Sequence, residues 1–254
     1  MPFAADLYYQ AHHKEETNKL PVVLIHGAGG SHLYWPSEVR RLAGFRVLAP
    51  DLPGHGKSTG RGQQSIAAYT QSVLNWLEAT GLHQAVFVGH SMGSAIALTL
   101  ALEAGEHVLG LGLVGAGAKL PVASALLEAA SSPTTYQTAV ETAAAWSFGP
   151  GAPVELTTLA ARRMAETRQA VLYGDFLACE AFDLSDRLGE IKQPALVLCG
   201  EEDRMTPLRY SQFLAGAMPG ARLEVIAGAG HMVMLENPPA VAKALVDFLV
   251  YIPY

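Results

Sequence analysis

The chain has 254 residues, half of them apolar (50%) and only 16% charged, a composition that buries a substantial core and excludes a disordered chain. A formal charge of −6, from 17 basic and 23 acidic residues, offers no cationic excess for phosphates, so neither nucleic-acid nor anionic-membrane binding is expected. Two cysteines, Cys179 and Cys199, are too few for a disulfide framework and read as reduced thiols of a cytoplasmic protein.

Residues 1–6 show no basic segment followed by an apolar run, so no secretion signal is expected. Nor is there a run of about 20 uncharged apolar residues to span a membrane. In chain order, 7–12 reads as an edge strand and 21–26 as a strand ending in the glycine cluster Gly27-Ala-Gly-Gly30. A helix near 36–42 leads to a strand at 45–50. The next helix spans 65–80, where Ile66, Tyr69, Val73, Trp76 and Leu77 recur at helical spacing, Ser65 caps the start and Gly81 stops it. The strand at 85–90 turns at Ser91 into a helix over 92–103 that is apolar all round, as a central buried helix must be. Strands follow at 108–114, 195–199 and 223–226, and a last helix runs from Asn237-Pro-Pro through 250. This alternation predicts an α/β fold, a mostly parallel sheet flanked by helices.

One stretch breaks the rhythm. Between Gly115 and Pro194 no strand signal appears, but helical patterns occur at 122–130, 134–146, 154–167 and 169–182. A structureless loop of that length would be unusual. The expectation is a helical cap over 118–190 inserted into a core formed by 1–117 and 191–254.

The chemistry points to Gly89-His-Ser91-Met-Gly93. A nucleophile on a sharp strand-to-helix turn needs a strained backbone, and small residues two positions either side let that turn close. Such a turn lifts the Ser91 hydroxyl out of the sheet and aims the Met92 N–H, at a helix N-terminus, at a substrate carbonyl oxygen. Serine needs a base, and the base an orienting carboxylate, which here should follow the nucleophile in chain order. Asp203 lies just beyond the strand at 195–199, with Glu201 and Glu202 as alternatives. His231, in Gly228-Ala-Gly-His231, alone among the histidines meets both the order and the strand-end criteria. His12, His13, His32, His83 and His107 read as surface residues, His26 and His90 as packing groups, and His55 as a residue that could line the pocket. A second oxyanion donor is expected from Ala28, with Gly29 as the fallback. Two lookalikes fail: Gly56-Lys-Ser58 has Asp51 where a phosphate loop needs glycine, and Gly110-Leu-Gly-Leu-Val-Gly115 lies within a strand. No spacing suggests a zinc site.

Together these motifs resemble the α/β-hydrolase family, in particular its compact esterase- and lipase-like members with a helical cap. The resemblance spans the His26-Gly27 loop, Asp51-Leu-Pro-Gly-His-Gly-Lys-Ser58, the turn at Ser91, the loop at Asp203 and Gly230-His231…Glu236-Asn-Pro238. It implies Ser91 as nucleophile, His231 as base, Asp203 as its orienter, and Ala28 and Met92 as oxyanion donors, with no metal or organic cofactor. Some members carry the acid after an earlier strand; here that position, Gly115-Ala-Gly-Ala-Lys119, holds no carboxylate. Ser94 stands where many members have a second glycine, with a modest effect expected on packing. The expected activity is carboxylic ester hydrolysis on a small molecule. The same side chains would also serve lactone, thioester or carbon–carbon cleavage, or a low-turnover binding module. Leu120, Val122, Leu126, Leu127, Trp146, Met164, Leu172 and Phe176 are candidates for an apolar pocket wall, with Gly29 and His90 beside the nucleophile. Arg162 and Arg163 read as a solvated helix face. Oligomeric state is not legible.

Overall fold

A computed structural model of the chain describes residues 3–12 and 18–254, so His13 lies outside the described residues. Among the described residues eight strands form one sheet: β1 (Phe3–Ala4), β2 (Leu7–His12), β3 (Pro21–Ile25), β4 (Arg46–Pro50), β5 (Ala85–His90), β6 (Val108–Val114), β7 (Ala195–Gly200) and β8 (Ala221–Ile226). Their order is β1-β2-β4-β3-β5-β6-β7-β8; the first two pairings are antiparallel and the rest parallel. The helices are α1 (Ser37–Arg40), α2 (Ile66–Thr80), α3 (Met92–Glu103), α4 (Ser124–Ala130), α5 (Tyr136–Ser147), α6 (Val154–Ala165), α7 (Gln169–Glu180), α8 (Leu208–Ala217), α9 (Val233–Glu236) and α10 (Pro238–Leu249).

Side chains that alternate along each strand divide the core between the two sheet faces. Val23, Ile25 and Phe87 pack with Trp76 of α2 and Ile96 of α3, whereas Val22, Leu24 and Val88 pack with Val39 of α1 and Leu245 of α10. Both faces are therefore covered, which is why β3, β5 and β7 are buried along their whole length. The side chain of Ser65 accepts from the Ala68 N–H to start α2, and Gly81 ends it in the left-handed conformation (φ 68°). The register Ile25–Gly89, His90–Val114, Val114–Leu198 and Gly200–Ile226 brings the strand ends to one edge, from which the loops bearing Ala28, Ser91, Asp203 and His231 emerge.

The helices α4–α7 lie between β6 and β7 in sequence and have a small core of their own around Leu126, Val140, Met164, Leu172 and Phe176. The ends of this insertion meet where Lys119 bridges to Asp183, with an ion pair of 2.8 Å. Two helices, α8 and α9, were not expected from the sequence pattern. The apolar stripe of α8 is narrow, only Ser211 and Leu214 being buried, and α9 is a single turn. Among the described residues no helix is long and apolar enough to cross a membrane.

Candidate active site

Ser91 sits between β5 and α3 with φ 52° and ψ −116°, a backbone conformation that costs a non-glycine residue about 1–3 kcal/mol. Sterics explain how it is held. A methyl at Gly89 would lie 2.1 Å from the Gly93 carbonyl oxygen, and one at Gly93 would lie 2.2 Å from that of Ile25. The turn therefore closes only with glycine at both places. Ser94 strengthens it, because its buried hydroxyl donates to the Ser91 carbonyl at 2.6 Å.

His231 and Asp203 are both buried, and the His231 Nδ1 lies 2.8 Å from Asp203 Oδ2. A carboxylate oxygen only accepts, so Nδ1 carries the proton and Nε2 presents its lone pair. The other oxygen, Oδ1, accepts from the Met205 and Thr206 N–H groups, each at 2.8 Å. Burial works against the Asp203 charge, but the His231 ring and the Thr206 hydrogen bonds outweigh it and hold the carboxyl below its usual range. Thr206 also donates its hydroxyl to Oδ2 at 2.8 Å and lies 3.1 Å from His231 Nδ1. Sequence reasoning missed Thr206, although a threonine three residues after an aspartate in a turn is a local signal. Glu201 and Glu202, the alternative acids, are exposed. Gly115, at φ 54°, leaves room for the imidazole: a methyl there would lie 3.0 Å from His231 Nδ1.

Ser91 and His231 line the same cavity, of about 150 Å³. Ala28, His90, Leu120, Val122, Leu126, Trp146, Met164 and Phe176 line it as well. The expected placement of five residues needs correction. Leu127 and Leu172 are not cavity-lining; Leu172 packs over Gly29 instead. Gly29 is not cavity-lining either, and its N–H donates to Asp175 Oδ2 at 2.8 Å, which removes it as an oxyanion donor. His55 is wholly buried against Asp175 rather than facing the cavity. His32 is buried, not on the surface, because its ring and N–H both bind Asp51 Oδ1, at 2.9 and 2.7 Å. That carboxylate also takes the Lys57 N–H at 2.9 Å, so the glycine-rich 51–58 segment folds around Asp51.

The other two amides expected to face an oxyanion are those of Ala28, which lines the cavity, and Met92, which is not among its lining residues. The turn at 27–30 is closed by the Gly30 N–H on the Gly27 carbonyl (3.1 Å), which leaves the Ala28 N–H outside that bond. Met92 begins α3, where an N–H has no intrahelical acceptor. His90 donates Nε2–H to the His231 carbonyl at 3.1 Å; burial, with the His231 ring beside it, pulls its pKa down to about 3. It stays uncharged and does not oppose protonation of His231. Burial, followed by the neighbouring His55, likewise lowers His26 to about 4; its ring accepts the Leu52 N–H at 3.0 Å and ties β3 to β4. Burial pushes the cavity-lining Cys179 thiol up, away from the nucleophilic thiolate.

The inserted helices are fastened to these loops. Glu236 accepts the N–H groups of Gly149 (2.9 Å) and Gly230 (2.8 Å), Met232 N–H donates to the Ser147 carbonyl (2.9 Å), and Arg204 donates to that of Ala145 (3.0 Å). Arg162 and Arg163 are exposed, the latter paired with Glu166 at 3.1 Å.

A serine on a strained strand-to-helix turn that shares a cavity with a carboxylate-held histidine, at the edge of a mostly parallel sheet, is the arrangement of an α/β hydrolase. The model of the alpha/beta hydrolase family matches residues 22–244, and the chain belongs to that family. It is 30% identical to a 2-hydroxy-6-oxo-6-phenylhexa-2,4-dienoate hydrolase of Burkholderia cepacia, over 90% of this chain and 87% of the relative. Its fold is similar to that of the enol-lactonase from Burkholderia xenovorans LB400, with a TM-score of 0.89 and 26% identity over 96% of each chain. A thermophilic esterase is also similar, with a TM-score of 0.83 and 33% identity over 97% of this chain and 94% of that one.

Proposed function

We propose that this hydrolase cleaves small carboxylic esters through an acyl-enzyme on Ser91, with residues 118–190 acting as a cap over the site. The observation that carries the reading is that Ser91, His231 and Ala28 share the wall of one cavity of about 150 Å³ while Asp203 holds the far side of the imidazole. His231 Nε2 takes the Ser91 proton as the hydroxyl oxygen attacks the ester carbonyl carbon. The resulting oxyanion receives the Ala28 and Met92 N–H groups, each such donor being worth about 2.7–4 kcal/mol in the barrier. The tetrahedral adduct expels the alcohol, which takes its proton from His231. Water then attacks the acyl-enzyme with His231 again as base, releasing the acid and restoring Ser91. The residues proposed need no metal or organic cofactor for these steps. Two unpaired, buried cysteines, Cys179 and Cys199, fit a reducing cytoplasmic location.

Cavity size and polarity narrow the substrate. A cavity near 150 Å³ takes a group the size of benzene, so a short acyl chain or a small aryl group fits. Among the described residues, Arg204 is the one Lys or Arg lining the cavity, and it already donates to the Ala145 and Phe148 carbonyls. This favours a neutral ester over an anionic dienoate of the kind in the relative's name. The test is a rate series over p-nitrophenyl esters of increasing acyl length, with a lactone, an acyl thioester and an oxo-dienoate alongside, in the wild type and in Ser91→Ala. The expected optimum lies at about four acyl carbons or fewer, with no turnover by Ser91→Ala. Faster turnover of the dienoate would assign carbon–carbon cleavage instead. Saturable ester binding without multiple turnover would mark a binding module.

A further inference from the structure

Gly29 is gripped at both of its backbone polar groups by side chains from the insertion. Its N–H donates to Asp175 Oδ2 of α7 at 2.8 Å, across 146 residues of sequence. Its carbonyl accepts the Thr167 hydroxyl at 3.0 Å, across 138 residues. Asp175 is wholly buried and is itself held from the core side, by His55 Nε2 at 2.8 Å and by the Tyr69 hydroxyl. His55 Nδ1 faces the Pro53 carbonyl at 3.1 Å, so both ring nitrogens face acceptors and the charged form satisfies both. Packing adds to the grip, since a methyl on Gly29 would lie 2.8 Å from Leu172 Cδ1 and 3.0 Å from Met164 Cγ.

A buried carboxylate with several donors has one low-energy place for each of them. The Gly29 N–H belongs to the peptide next to the one carrying the Ala28 N–H, so whatever fixes the first limits rotation of the second. We infer that Asp175 and Thr167 are positioning residues for the oxyanion hole: by holding both polar groups of Gly29 they keep the Ala28 N–H turned to the cavity. The insertion then helps build the transition-state site as well as covering it. The inference rests on the proposed role of Ala28.

The test compares Asp175→Ala, Thr167→Val and Thr167→Ser with the wild type and with Ser91→Ala. The readouts are kcat and KM on p-nitrophenyl butyrate and the affinity of phenylboronic acid, which adds to the serine hydroxyl and places an oxygen where the oxyanion forms. Misplacing one donor lowers kcat by up to about 100-fold for Asp175→Ala and about 10-fold for Thr167→Val, with KM within about threefold. Boronate affinity falls by the same factor as kcat/KM, and Thr167→Ser restores both. Thr167→Val removes one hydroxyl without stranding a charge, so it remains informative if Asp175→Ala does not fold. Melting temperatures that drop while kcat and boronate affinity stay within twofold would make the grip purely structural and overturn the inference. Activity surviving in Ser91→Ala would instead overturn the reading beneath it.

Discussion

Replacing Asp203 by asparagine tests the geometry around His231 in a way the structure makes specific. The Met205 and Thr206 N–H groups both point at the Oδ1 position, at 2.8 Å, so an asparagine must put its carbonyl oxygen there. Its NH2 then takes the Oδ2 position, 2.8 Å from His231 Nδ1, and donates to it. His231 is forced into the tautomer with the proton on Nε2, which cannot accept from Ser91. Asparagine fills nearly the same volume and its NH2 can also donate to the Thr206 hydroxyl oxygen 2.8 Å away, so the fold should persist. The expected loss is about 10⁴-fold in kcat, some 5 kcal/mol in the barrier, for a triad histidine locked in the wrong tautomer. Steady-state hydrolysis of p-nitrophenyl butyrate measures it, with a melting curve as the control for folding. A kcat within tenfold of the wild type in a folded Asp203→Asn would refute the assignment of Asp203 as orienter.

Gly93→Ala should destabilise the protein by about 4 kcal/mol or more, because the methyl would meet the Ile25 carbonyl oxygen at 2.2 Å and the backbone must move; urea unfolding measures this. Burial disfavours the His55 charge, yet Asp175 raises the pKa of His55 above its usual value. The pair's contribution is therefore fully present below about pH 6.5 and is lost as pH rises through the raised value. The difference in melting temperature between wild type and His55→Gln should accordingly shrink from pH 6 to pH 9, and a constant gap would contradict this. Tyr34→Phe should raise the melting temperature, because the buried Tyr34 hydroxyl has no hydrogen-bond partner among the described residues and leaving it so costs about 1–3 kcal/mol.

Much of the candidate site is legible in local pattern. Ser91 announces itself because a strained turn demands glycine at fixed offsets between a strand and a helix, and Asp203 and His231 because strand ends gather at one edge. The features that escaped are those created by distant contacts. Asp175 sits in the helical pattern of α7 as one polar residue among apolar ones. Its meaning appears only when α7 docks on a loop 146 residues earlier. His32, expected at the surface, and His55, expected to line the pocket, depart from expectation for the same reason: Asp51 and Asp175, distant in sequence, draw the two rings into the interior. Helix α8 was missed because it buries too few residues to write a clear apolar period. The edges of the inserted helices shifted by a few residues, as fraying ends do.

Rapid quenching of the enzyme during p-nitrophenyl butyrate turnover, followed by peptide mass spectrometry, asks most directly whether acyl transfer passes through the turn after β5. The account predicts a butyryl mass on the peptide containing Ser91, formed with the first burst of p-nitrophenol and absent from Ser91→Ala. Turnover with no acylated peptide, or with the acyl group on another residue, would contradict it.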